Sequence, residues 1–127
     1  MLLTADLGNT NITLGVFDGG DAVFFARLSA SRSRTSDEYA VLLAAVFRMH
    51  GVDPRDIRGA VLSSEVKPLT PVFSAAVEAI CRRPEMAEAI RSFRPQGLGR
   101  NKQMVADLVR GGHFGLLTAL YRFKNQM

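Results

Sequence analysis

The chain has 127 residues, 47% of them hydrophobic, and its 16 Lys and Arg against 12 Asp and Glu give a net charge of +4. This length suits one domain and this hydrophobic share a real buried core, which excludes a disordered chain and leaves no need for a metal or disulfide staple. The longest apolar runs fall short of the roughly 20 residues of a membrane helix, and MLLTADLG has no basic region ahead of an apolar one, so a soluble cytoplasmic globule is expected.

Leu2 to Leu7 and Ile12 to Phe17 read as two strands joined by a tight Gly-Asn-Thr-Asn turn, and Asp18 to Gly20 turn the chain into a third strand, Ala22 to Leu28. Ser29 to Ser36 is polar and loop-like. Ser36 is the expected N-cap of a helix to about His50, with Tyr39, Leu42, Leu43, Val46 and Phe47 at helical spacing and Gly51 as its stop. Gly59 to Ser63 reads as a short buried strand, and Pro68 and Pro71 open a helix through about Ile80, since proline is tolerated in a first helical turn. A meander followed by a helix and a strand builds a mixed sheet, with Gly59 to Ser63 parallel beside the first strand after a right-handed crossover. The loops that end the first and fourth strands then meet.

Farther on, Glu85 to Phe93, Asn101 to Arg110 and Phe114 to Phe123 show helical spacing, separated by breakers at Pro95 to Gly99 and Gly111 to Gly112. Phe114, Leu117, Leu120, Tyr121 and Phe123 form a packing stripe, whether inside the domain, at a subunit interface or over a sheet edge. The basic excess lies in this half: residues 1–75 hold seven Lys or Arg against eight Asp or Glu, and residues 76–127 hold nine against four. Arg82, Arg83, Arg91, Arg94, Arg100 and Lys102 could neutralise nucleic-acid phosphates. Their scatter, with no interleaved stacking aromatics, favours solvated helix faces instead. Cys81 has no nearby His and reads as an inert thiol. His50 and His113 lack partners at metal-ligand spacing and read as structural.

The stretch DLGNTN carries the chemistry. Gly8 allows a sharp turn, exposed amides can face phosphate oxygens, Asn9, Thr10 and Asn11 add side-chain donors, and Asp6 can hold a magnesium ion or its water. The same residues also suit an ordinary hairpin whose Asn and Gly supply positive φ.

DLGNTN resembles the first phosphate motif of the actin, sugar kinase and heat-shock ATPase superfamily. Together with RLSASRSRTSDEYA and GAVLSSEVKPLTPVF, in that order, it resembles the N-terminal lobe of type III pantothenate kinases over about residues 1–80. The resemblance implies ATP-dependent phosphorylation of pantothenate, the first step toward coenzyme A, by a cytoplasmic homodimer using magnesium and a monovalent cation. It places phosphate and magnesium roles on Asp6, Gly8, Asn9, Thr10 and Asn11. Arg34, Thr35, Asp37, Glu38 and Tyr39 also fit the family pattern and read mainly as the loop and cap that seat the first helix. In the third motif Glu65 and Lys67 stand where the family has apolar residues and proline, and read as an exposed pair.

A complete member is about twice as long. It has a catalytic aspartate in a Gly-Ala-Asp-Arg stretch, a second phosphate loop of the Asp-Phe-Gly-Thr kind and a glycine-rich adenosine loop; neither of those loops occurs in this sequence. NKQMVADLVRG echoes the catalytic stretch with Asp107 as the base, although the glycine before Ala106 is absent and Leu108 replaces the arginine. Asp107 would take the substrate hydroxyl's proton as that oxygen attacks the γ-phosphate; otherwise it is a surface carboxylate on a helix whose Val105, Leu108 and Val109 face inward.

The expected fold is α/β, a ribonuclease H-like half-fold of the actin-like ATPases, with a meander, a parallel strand and a helical C-terminal cap. Residues 1–80 form the phosphate-binding lobe and 81–127 a helical tail packed on the same domain. The expected function is that of a pantothenate kinase with half of its active site missing, hence inactive or weak. The alternatives are a truncated, rearranged or engineered folding or dimerisation module without turnover, and a basic nucleic-acid binder.

Overall fold

The computed structural model describes residues 1–19 and 21–93. Side-chain alternation sets its layers. Leu3, Ala5 and Leu7 of β1 (Leu2–Leu7) and Ile12, Leu14 and Val16 of β2 (Asn11–Asp18) are buried on one face of the sheet. They form one core with Tyr39, Leu43 and Phe47 of α1 (Ser36–Met49) and Phe73, Ala76 and Val77 of α2 (Leu69–Cys81). Residues Thr4 and Asp6 of β1 and Thr13 of β2 alternate onto the opposite face. The meander closes with β3 (Asp21–Ser29), entered through Gly19 at φ 59°.

β4 (Gly59–Ser64) follows α1 and pairs in parallel with β1, Leu2 opposite Gly59 through Leu7 opposite Ser64. All six of its residues are buried, as expected for a central strand covered on both faces. The sheet order is β3-β2-β1-β4-β5, so the ends of the first and fourth strands lie side by side.

Three local expectations are corrected. The N-cap of α1 is Thr35, one residue before Ser36: its hydroxyl accepts from the Glu38 amide (3.2 Å) while the Glu38 carboxylate accepts from the Thr35 amide (3.0 Å). That reciprocal pair satisfies two amides at once. The stretch Glu85 to Phe93 is not one helix. A single turn, α3 (Met86–Ala89), leads into β5 (Ile90–Phe93), which runs parallel to β4 from Ala60 to Ser63. Extending the ladder along β4 satisfies backbone groups that a helix at 90–93 would leave unpaired on that edge, and local spacing carries no sign of it. Thirdly, Gly8 is not a positive-φ residue; among the described residues, positive φ is confined to Gly19, Gly51 and Arg82. Asp107, the helices expected over 101–110 and 114–123, and the aromatic stripe lie outside the described residues.

Candidate functional site

The β1–β2 loop is short and closely drawn. The Gly8 amide donates to the Asn11 carbonyl at 2.9 Å, and a Cβ at residue 8 would lie 3.0 Å from that oxygen. Glycine is required here by this close approach of backbone rather than by its φ. Asn9, Thr10 and Asn11 are exposed, and the Asn11 side-chain amide donates to Thr10 Oγ1 at 3.2 Å. Among the described residues, the backbone amides of Asn9 and Thr10 have no acceptor.

A second loop braces the first. The Ala30 amide donates to the Thr10 carbonyl at 2.9 Å. Tyr39, buried at the start of α1, accepts from the Ser31 amide and donates to the Ser31 carbonyl, both at 3.0 Å. The Arg34 guanidinium lies 5.2 Å from the centre of the Tyr39 ring and donates to the Ser29 carbonyl at 2.7 Å. Arg34, Thr35, Glu38 and Tyr39 therefore seat the helix and the loop, while Asp37 is exposed.

β4 supplies the other wall. Beyond the last paired residues, the Glu65 amide donates to the Leu7 carbonyl at 3.1 Å, which holds the two strand ends together. Ser64 Oγ accepts from the Val66 amide and donates to its carbonyl, closing the turn toward α2, and Glu65 and Lys67 are exposed. Asp6, half-buried, stands in register with Thr13 on β2 and Ser63 on β4, so all three share the face opposite the helices. Ser63 Oγ is buried and has no hydrogen-bond partner among the described residues. Sequence reasoning passed over Ser63; its signal was a hydroxyl at a core position of an apolar strand.

No group of three or more His, Cys, Asp or Glu that could hold a metal occurs among the described residues. One carboxylate flanked by hydroxyls and amides is a poor cage for zinc or calcium. It does fit magnesium, which takes one or two carboxylates and fills its shell with water and substrate phosphate. Two other sequence candidates stand apart from this loop. Cys81 is fully buried and burial pushes its thiol up to about 11, with Arg83 opposing; His50 stacks on Phe24 with ring centres 4.3 Å apart. Arg83 is engaged by the Arg55 carbonyl at 2.8 Å and by Glu85 at 3.4 Å. No helix among the described residues is long and apolar enough to cross a membrane.

The model of the family described as type III pantothenate kinase matches residues 2–94. The chain belongs to that family. A type III pantothenate kinase of Roseiflexus sp. (strain RS-1) is 39% identical over 110 residues, covering 85% of this chain and 42% of the relative. One from Pelobacter propionicus is 49% identical over 82 residues, covering 65% of this chain and 31% of the relative. The chain thus spans less than half the length of these relatives. Among solved structures, one titled as an N-acetylglucosamine kinase of Porphyromonas gingivalis superposes with a TM-score of 0.53 at 16% identity, over 72% of this chain and 33% of that one. At that identity the likeness speaks for the fold alone: the chain shares the mixed α/β sheet of that kinase structure.

Proposed function

We propose that this chain acts as the phosphate-binding lobe of an ATP-dependent kinase. One observation carries the reading: Asp6 and the exposed, acceptor-free amides of Asn9 and Thr10 cluster where parallel strands β1 and β4 end. Open α/β sheets bind ligands in the crevice outside the carboxyl ends of their strands. There the Asn9 and Thr10 amides donate to phosphate oxygens, the Thr10 and Asn11 side chains add donors, Gly8 lets the loop close, and Asp6 holds magnesium or its water. Bound magnesium neutralises charge on the phosphates.

Family membership supports ATP and pantothenate as the substrates of the whole kinase, with a monovalent cation and a homodimeric state as further family features. Asp107 is the candidate base for the pantothenate hydroxyl. Residues 1–80 carry the phosphate side, and β5 extends the same sheet beside β4. Phosphoryl transfer depends on positioning and charge stabilisation around the whole nucleotide. The second reading is a folded, non-catalytic module.

The test is a titration of ATP with and without magnesium, following the amide resonances of Gly8 to Asn11. Shifts at about millimolar ATP, roughly −4 kcal/mol, are expected for an open loop. Asp6→Asn removes the magnesium dependence and leaves the fold intact. Unmoved amides, or the same magnesium-dependent shifts in Asp6→Asn, refute the reading.

A further inference from the structure

The geometry points to Ser63 as a positioning residue for the cation at Asp6, its hydroxyl hydrogen-bonding a water of that cation's shell; this rests on the phosphate-lobe reading above. Asp6 and Ser63 are register partners on parallel neighbouring strands, and their side chains leave the sheet on the same face. The adjacent Ser64, on the other face, spends its hydroxyl on the Val66 backbone. Thr4, the other buried hydroxyl on the Asp6 face, donates to the Gly15 carbonyl at 3.3 Å. Ser63 Oγ alone among these has no partner among the described residues, although the residue is 0% exposed.

A buried hydroxyl left unsatisfied is costly, and bulk solvent does not reach this one. A partner has to be brought in from the neighbouring Asp6 side. Magnesium retains several waters when it binds through one carboxylate, and those waters are strong donors. A serine hydroxyl can accept from one of them and donate onward, so it fixes the shell without adding a charge. Alanine would fill the same strand position and bury well; the hydroxyl serves the ligand rather than the core.

The experiment uses the full 127-residue chain with Mn²⁺ and ATP as the probe, read by water-proton relaxation enhancement, beside thermal melts taken without metal or nucleotide. Ser63→Ala is expected to weaken Mn²⁺–ATP binding by about tenfold, the usual scale for an outer-shell group. Its ligand-free melting temperature stays level or rises, because an unsatisfied polar group is removed. Wild-type affinity in Ser63→Ala, with Asp6→Asn impaired, overturns the Ser63 assignment and leaves the phosphate-lobe reading standing. An affinity loss accompanied by a fall in the ligand-free melting temperature overturns it too, since the role is then structural. Absence of Mn²⁺–ATP binding in the wild type, or binding unaffected by Asp6→Asn, overturns both.

Discussion

Tyr39→Phe isolates the contact by which α1 holds the loop that braces the β1–β2 turn. The phenol oxygen makes two hydrogen bonds to Ser31, each 3.0 Å, while the ring packs edge-on to Phe73 with centres 5.7 Å apart. Phenylalanine keeps the ring and that packing, so the loss is confined to the two hydrogen bonds. At about 0.5–1.5 kcal/mol net for each, with the Ser31 backbone half-buried and partly reached by water, the cost is about 2 kcal/mol. For a chain of this length that corresponds to a fall in melting temperature of about 6–12 °C. A specific consequence accompanies it: Ala30, next to Ser31, donates to the Thr10 carbonyl, so hydrogen exchange at the Ala30 amide accelerates beyond what global destabilisation accounts for. Urea melts and native-state exchange measure both. A variant that melts within about 1 °C of the wild type and exchanges Ala30 at the wild-type rate refutes the claim that the phenol anchors this loop.

Thr35→Ala removes the hydroxyl half of the α1 capping box and is expected to cost about 1 kcal/mol in urea unfolding at neutral pH. The Glu38 carboxyl is held below its ordinary range, first by the Thr35 backbone amide and then by the Thr35 hydroxyl. Its contribution is therefore complete above the ordinary glutamate range and lost as pH falls through the lowered value; Thr35→Ala flattens that acid-side loss below the ordinary glutamate range, and an unchanged slope contradicts the pairing. Cys81, with its thiol pushed up to about 11 by burial, is expected to be inert to a disulfide reagent at pH 8 in the native state and to react fully in urea; rapid native reaction would mean that the site opens.

Most of the architecture was legible because local signals agreed. Alternation in LLTADL and NITLGVF, the turn residues between them, and the spacing of Tyr39, Leu43 and Phe47 each specify one element, and each is found. The misses have separate causes. Residues 85–93 carry helical spacing, yet Ile90–Phe93 gain more from the β4 ladder, a partner some thirty residues back along the chain. Thr35 caps α1 in place of Ser36 because its hydroxyl lies three residues before Glu38, a capping-box pattern present in TSDE. The sharp turn at Gly8 was legible, but the close approach to the Asn11 carbonyl that calls for glycine there leaves no mark in composition. The turn between the first two strands was itself plain in DLGNTN. Ser63 was not, since its place beside Asp6 is a matter of strand register, which only the folded sheet defines.

The β1–β4 pairing also orders events in time. β1 and β2 meet across the short turn at Gly8 to Thr10, so that side of the loop closes through a local contact of the kind that forms within microseconds. The β4 side belongs to a strand that must be carried past α1 before it can dock, and such non-local parallel pairings form slowly. During refolding, the loop's outline therefore precedes its wall. A nascent chain can display DLGNTN in hairpin form well before it has the strand that supports it, and the loop's final surroundings are completed at the last docking step.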